Sequence, residues 1–398
     1  MIEFCIFFVY NDVMNRKIFK NIGANEFFEQ KENKFLLKFT NKTSGLEENK
    51  LEFDEPCVII SNHTSSLDKA FLSKIIASPC VFLKQEILEE ILLKQLSINN
   101  FKRLLKCFNE LKKENYSIVI FNDFGISPFG ETTPISTELS DFVMNLKLNI
   151  RFVNLYGSFF NFPVWAESKR KCIVKFIAKN RLTFETLKAK TSKEVNELMN
   201  SFSAFSATNQ VYVFNLIIDF PNRAEFVDRI AYACPKCKSL FSVYSEYSCL
   251  KCSNCGSAIE FSVNGDISLS KEVENFEQLK ENLYNTLKNF DFTINPLKTY
   301  KNCLILRNVG EKKARFEKCE LTIYAQNLVL NEAIKDGEEI KCKKTTIAIK
   351  NLQKIAYIGQ NTVKIWQKNK EPIILKGKGR ENFYIIFDLM KVNNGETK

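Results

Sequence analysis

The chain has 398 residues, long enough for two or three domains, and 45% hydrophobic content with 36 phenylalanines supplies ample core. Lys+Arg 57 against Asp+Glu 46 leaves a formal charge of +11, which fits an anionic membrane face, an acidic carrier protein or a phosphate-bearing substrate and does not by itself argue for nucleic acid. No apolar run reaches the roughly 18 to 20 residues of a membrane span, and thirteen cysteines, mostly single but with five between 234 and 255, argue against a disulfide framework and for free thiols in a reducing cytosol.

Residues 2–10 are apolar but short, with Glu3 and no basic flank, so a secretory signal is not expected. Over residues 2–22, Phe and Ile with Arg16, Lys17 and Lys20 predict a helix. It lies in a membrane interface or packs as an ordinary amphipathic helix. The rest of a lead-in over 1–50 is charged and irregular. Val58-Ile59-Ile60 then ends at Ser61-Asn62, and Thr64 to Asp68 follow. That pattern is a buried strand, a sharp exit and a helix start. His63, the only histidine, stands at the exit. A strand end holds a side chain rigidly and still presents it, and imidazole suits proton transfer near neutrality. Asp68 is placed to turn back onto the ring, fix its tautomer and stabilise the imidazolium. The plainer alternative is a lone histidine with Asp68 capping the next helix.

Asn62, His63, Ser65 and Asp68 form an Asn-His-x-Ser-x-x-Asp block. It resembles the active-site block of the glycerolipid acyltransferases, the 1-acyl-glycerol-3-phosphate (lysophosphatidic acid) acyltransferase family. The resemblance implies that His63 is the general base, that Asp68 orients it, and that Asn62 and Ser65 belong to the substrate site. Downstream, Phe71, Leu72, Ile75 and Ile76 make a helical stripe that Ser78-Pro79 stops. Val81-Phe82-Leu83 reads as a strand running into a helix at Lys84-Gln85-Glu86. This is similar to the family's second block and implies that Lys84 meets an anionic substrate group; taken alone, Lys84 is a solvated lysine at a strand end. The family's later phosphate-binding Arg has no alignable counterpart, and Lys94, Lys102 and Arg103 are the cations on offer.

An amphipathic helix over 101–115 and a buried strand over 117–121 lead to Asn122-Asp123-Phe124-Gly125-Ile126-Ser127. The family has Phe-Pro-Glu-Gly-Thr-Arg-Ser here. Asp123 replaces the Glu, Gly125 is shifted by one, and Ile126 stands at the Arg, which removes a bidentate phosphate contact. The resemblance implies that Asp123, the amides around Gly125 and Lys84 hold the acceptor head group. Gly130-Glu131 resembles the turn after that loop. A helix over 135–144, a strand over 150–156 ending in Gly157-Ser158, and Pro163-Val164-Trp165-Ala166 resemble the fourth block and its sequel. A strand over 172–177 and a helix over 188–202 follow. The alternation over 51–233 predicts an acyltransferase-type α/β sandwich with its site at the strand C-terminal ends.

Cys234-Pro235-Lys236-Cys237 and Cys252-Ser253-Asn254-Cys255 are two Cys-x2-Cys knuckles fourteen residues apart. Four thiolates at that spacing make a closed tetrahedral Zn2+ site, structural because no coordination position stays open. Cys249 lies near enough to compete; Gly256, which lets the backbone turn, favours Cys252 and Cys255. The zinc ribbon is expected over 234–262. Val273, Phe276, Leu279, Leu283, Leu287 and Phe290 predict a linker helix over 270–290. Short β segments follow at 303–306, 319–330, 345–349, 355–358, 362–366 and 372–375, then a helix over 380–391. Six or seven strands closed by a helix resemble a pleckstrin-homology (PH) or GRAM-like β-barrel over 300–398, a lipid- or protein-binding module or else a packing domain.

The expected function is transfer of a fatty acyl group from acyl-CoA or acyl-carrier protein to a lysophospholipid hydroxyl. The expected place is the cytoplasm, peripheral on the membrane surface, with no nucleic-acid partner. The alternative is an adaptor that keeps the scaffold, ribbon and barrel while the altered third block has lost substrate binding.

Overall fold

The computed structural model describes residues 22–31, 50–179, 181–207, 214, 216–265, 267–268, 273–293, 296–309, 312–336 and 339–395. The amphipathic helix expected near the N-terminus and most of the charged lead-in lie outside them. Among the described residues, no helix is long and apolar enough to cross a membrane.

Six strands build the first sheet: β1 Phe28–Glu29, β2 Cys57–Ser61, β3 Cys80–Leu83, β4 Ser117–Phe121, β5 Asn149–Tyr156 and β6 Lys175–Ala178, in the order β1-β3-β4-β2-β5-β6. The central four run parallel, with Ile59 opposite both Val119 and Arg151, and the edge strands β1 and β6 are antiparallel. Helices α1 Asp68–Ile75, α2 Gln85–Leu92, α3 Ile98–Lys113, α4 Thr137–Asn145 and α5 Ser192–Ser203 cover the sheet. Alternate residues serve the two faces. Val58, Ile60, Ile118 and Ile120 pack with Leu88, Phe108, Leu139 and Met199 on one side. Ile59, Val119 and Val153 pack with Phe71, Leu72 and Ile75 of α1 on the other. Cover on both faces is why β2, β3 and β4 read as unbroken apolar runs. Ser97, Ser136 and Thr191 start α3, α4 and α5 by accepting from backbone N–H groups, and Thr191 with Glu194 forms a capping box. The last strand and helix begin later than expected, at Lys175 and Ser192.

The cysteine region is a four-stranded antiparallel sheet: β7 Val243–Glu246, β8 Cys249–Cys252, β9 Ala258–Phe261 and β10 Ile267–Ser268. Helix α6, Phe276–Lys288, follows, capped by Asn275. The Phe276 ring meets Phe129, Phe159, Trp165 and Phe261. The third sheet has seven antiparallel strands: β11 Lys298–Val309, β12 Lys312–Ile323, β13 Asn327–Asp336, β14 Glu339–Ala348, β15 Leu352–Gly359, β16 Thr362–Gln367 and β17 Lys370–Lys376. Their order is β14-β13-β12-β11-β17-β16-β15, and α7 Tyr384–Asn394 ends the chain's described part.

Two expectations change here. The strand expected over 319–330 is two, β12 and β13, turning where Tyr324 N donates to Asn327 O at 2.8 Å. The β-barrel does not close: β14 and β15 end the strand order, and no ladder joins them among the described residues. The open edge of β15 is engaged elsewhere, since Tyr357 O accepts from Ile126 N at 2.8 Å. An unpaired strand edge is a template for any nearby chain, and the loop after β4 uses it. Below this contact one apolar cluster runs from Phe129 and Trp165 through Leu250 and Phe276 to Leu321, Ile365 and Ile385. The ribbon, α6 and the C-terminal sheet therefore share a core with the flank of the α/β unit.

Candidate functional site

The exit from β2 is fixed before His63 is reached. Asn62 Oδ1 accepts from Leu155 N at 2.8 Å, and Asn62 Nδ2 donates to Leu155 O at 3.1 Å. The amide thus imitates a backbone pair and ties β2 to β5. Ser65 Oγ donates to Phe162 O at 3.1 Å and accepts from Leu67 N at 3.3 Å. Both residues are buried. Asn62 and Ser65, expected at the substrate, spend these groups on the frame of the loop.

His63 Nδ1 lies 3.2 Å from Asp68 Oδ2. That same oxygen accepts from Thr64 N at 2.7 Å and Ser65 N at 2.8 Å. Asp68 is the first residue of α1 and fully buried. It caps the loop and meets the imidazole at once, so the plain and the functional readings of Asp68 describe one arrangement. With the Nδ1 proton on the carboxylate side, Nε2 carries the lone pair, and it has no hydrogen-bond partner among the described residues. The ring stacks on Phe121 with centroids 4.1 Å apart and planes at 17°, and Ser127 N donates to His63 O at 2.9 Å. In the sequence Phe121 reads as the end of a strand and as the matching Phe of the family's third block; its stacking on the imidazole carries no local signal. His63 keeps 9% exposure.

The neighbouring strand ends carry the other expected residues. Lys84 is half-buried at the start of α2, and its N–H donates to Phe27 O at 2.9 Å. Its ammonium has no hydrogen-bond or ion-pair partner among the described residues. Asp123 Oδ1 accepts from Phe124 N at 2.8 Å and from Lys354 Nζ at 2.9 Å. A Cβ on Gly125 would stand 2.7 Å from the Ala356 Cβ, so β15 lies directly against this loop. Trp366 packs on Phe124 at 4.8 Å, Lys364 pairs with Glu89 of α2, and Gln360 Nε2 donates to Ser66 Oγ at 3.1 Å. Lys94 and Arg103 are engaged elsewhere, paired with Glu138 and Glu26. A cavity of about 270 Å³ lined by Phe53, Glu55, Arg151 and Arg181 lies at the start of β2 and β5, the end opposite His63.

The cysteines pass a fit test for a metal. The Sγ atoms of Cys234, Cys237, Cys252 and Cys255 all lie within 4.8 Å of one another. Cys234 to Cys255 is 3.8 Å and Cys237 to Cys252 is 3.7 Å. Tetrahedral zinc with Zn–S bonds near 2.3 Å demands sulfur–sulfur edges of about 3.8 Å. Gly256 N donates to Cys252 O at 3.0 Å, with Gly256 at φ +70; in the first knuckle Lys238 N donates to Cys234 O at 2.9 Å, with Lys238 at φ 60. The Ser257 hydroxyl, then the backbone amide beside it, holds the Cys255 thiol down to about 6, while burial pushes Cys234 up to about 11. Cys249 stands outside the cluster of four. These four residues would hold zinc as a cross-link, with no ligand position left for chemistry.

No protein-family model matches the chain, and no curated protein matches it. Among solved structures the chain is similar to the 1-acyl-sn-glycerophosphate (LPA) acyltransferase PlsC from Thermotoga maritima, at 15% identity and a TM-score of 0.31, over 42% of this chain and 75% of that one. At that score the likeness carries no functional weight.

Proposed function

We propose that the chain is an acyltransferase that moves a fatty acyl group from a thioester, acyl-CoA or acyl-carrier protein, to the hydroxyl of a lysophospholipid at a membrane surface. One observation carries this: an imidazole at the end of a central parallel strand, with Nδ1 on a buried carboxylate and Nε2 unpartnered among the described residues. Nε2 takes the proton of the acceptor hydroxyl as its oxygen attacks the thioester carbonyl carbon. The carbon–sulfur bond then breaks, the thiolate leaves, and the imidazolium returns the proton to sulfur. Asp68 stays ionised, holds the tautomer and stabilises the imidazolium. Lys84, Asp123 and the loop at Gly125 form the acceptor side, the four cysteines hold a structural zinc, and the seven-stranded sheet with α7 serves as a PH-type docking module.

The test is acyl transfer from a labelled acyl thioester to lysophosphatidic acid and, in parallel, to uncharged lysolipids. His63→Ala is expected to lower turnover by about 10²–10⁴-fold, the range of general acid–base catalysis, with zinc content and unfolding midpoint unchanged. Retained turnover would remove His63 as the base. A second reading is favoured by the close seat of Ala356 on Gly125, which leaves little space over the loop. No turnover with any acceptor, from folded and zinc-loaded protein, would move the assignment to a non-catalytic adaptor.

A further inference from the structure

We propose that the acceptor site is composite and that Lys354, on β15, is the cation that meets a phosphate on the acceptor. The inference rests on the acyltransferase reading above. In open α/β sheets ligands bind outside the carboxyl ends of the parallel strands. In this chain those ends include Ser61, Leu83 and Phe121. The outer face of β15 and β16 is seated on the loop after Phe121 and on the helix after Leu83. Lys354 and Ala356 share that face by the two-residue period of a strand, opposite Trp366 and Lys364 in the ladder. All four touch the α/β unit: Ala356 meets Gly125, Lys354 meets Asp123 and the Phe124 ring, Trp366 packs on Phe124 and Lys364 pairs with Glu89.

The two lysines differ in what they have left to give. The Lys364–Glu89 pair is closed, with side-chain exposures of 15% and 9%. Lys354 keeps 30% exposure, although Asp123 holds its ammonium at 2.9 Å and the Phe124 ring lies 4.2 Å below it. An ammonium has three protons. One hydrogen bond and one ring face leave a donor for a further acceptor. Asp123 follows Phe121 by two residues, and the Phe121 ring stacks on His63. Lys354 therefore stands over the strand next to the one that carries the base, and adjacent strands lie about 4.8 Å apart. Lys84 tops β3, the next strand out. At these strand ends Lys84 and the remaining Lys354 donor are, among the described residues, the cations open to a further acceptor, since Asp123 is already held by Lys354 and Asp68 by His63. That suits a phosphomonoester better than a neutral head group. The continuous apolar core beneath makes the C-terminal sheet a fixed wall rather than a lid.

A phosphate reaches such a place from the acceptor or from a nucleotide thioester, and the experiment separates the two. Full-length zinc-loaded protein, K354Q and K354R are given a phosphate-free donor, an acyl N-acetylcysteamine thioester, with lysophosphatidic acid or with monoacylglycerol. A third arm uses acyl-CoA with monoacylglycerol. K354Q is expected to raise KM for lysophosphatidic acid about tenfold or more, the worth of one charge-assisted hydrogen bond. Its kcat and the phosphate-free pair stay unchanged, and K354R keeps most of the affinity. Equal losses with both acceptors, no loss, or a loss only in the acyl-CoA arm would overturn the assignment. Binding is read apart from turnover by Trp366 fluorescence, assigned with W366F, in a His63→Ala background. A lysophosphatidic acid titration that K354Q shifts to about tenfold or more higher concentration supports the site even if acyl transfer is never observed. Acyl transfer indifferent to Lys354 sinks this inference alone.

Discussion

The loops that leave β2 and β4 start on adjacent strands and are completed in opposite ways. After β2 the loop is framed mainly by near neighbours: Asn62 is tied to Leu155, Ser65 to Phe162, and Asp68 accepts from His63, Thr64 and Ser65, while the turn between β15 and β16 touches it at Ser66 Oγ, which accepts from Gln360 Nε2. After β4 the loop is finished by residues 231 positions downstream, with Lys354 on Asp123 and Ala356 against Gly125. The hydrogen bonds that hold His63 on Asp68, the proposed base and its orienting carboxylate, therefore lie within the α/β unit. The loop after β4, the acceptor side of the proposed site, is instead completed by the C-terminal sheet, and on that reading substrate choice can change through the sheet without touching His63 and Asp68.

The largest effect that would break this contrast comes from the zinc centre. Isolated zinc-finger peptides draw about 10–16 kcal/mol from their metal; here the ribbon also shares an apolar core with α6 and the C-terminal sheet, so the loss is a fraction of that but still large. Cys234→Ser or chelation is expected to lower Tm and to raise amide exchange over β15 and residues 122–127 well before residues 62–68. Equal exchange at both loops would mean that the β2 loop also depends on the C-terminal sheet.

Asn62→Ala strikes the other side of the comparison. It strips two partners from the buried backbone of Leu155, at about 1–3 kcal/mol for each group left unpaired. Turnover is expected to fall with stability, because the exit of β2 sets the pose of His63. The Trp366 signal for a phosphate-bearing acceptor should persist. Loss of that signal would show that Asn62 supports both loops.

The pattern of what the sequence disclosed follows from range. The strand at Cys57–Ser61, the turn to Asp68 and the two cysteine knuckles are written in spacings of a few residues, and local chemistry reads them. Asn62 acts across 93 residues on Leu155, so its block placed it near substrate while its amide serves the frame. The break between β12 and β13 was missed because Tyr324-Ala325-Gln326-Asn327 has no glycine or proline to mark a turn. The barrel was expected to close because strand count alone does not show that Tyr357 bonds Ile126. Lys354 had no signal at all: it is the one lysine of β15, with nothing in Leu352–Gly359 to set it apart from the lysines of the neighbouring strands.

Gly125→Ala gives the smallest and sharpest effect. The new Cβ would meet the Ala356 Cβ at 2.7 Å, a distance that real Cβ atoms essentially never show, and Ala356 has its own backbone behind it. Relief requires β15 to move away from the loop after β4, and overpacking of this kind costs about 1–3 kcal/mol. The shift weakens the hold of Asp123 on Lys354 without reaching Asn62 or Asp68. The expected result is a raised KM for the phosphate-bearing acceptor, with His63-dependent turnover of the phosphate-free pair preserved. Ala356→Gly in the same chain removes the opposing methyl and should restore the affinity. Failure of that rescue, with turnover of both acceptors lost together, would mean that the two loops are coupled through the sheet itself, and the division between a local base and a borrowed acceptor wall would fall.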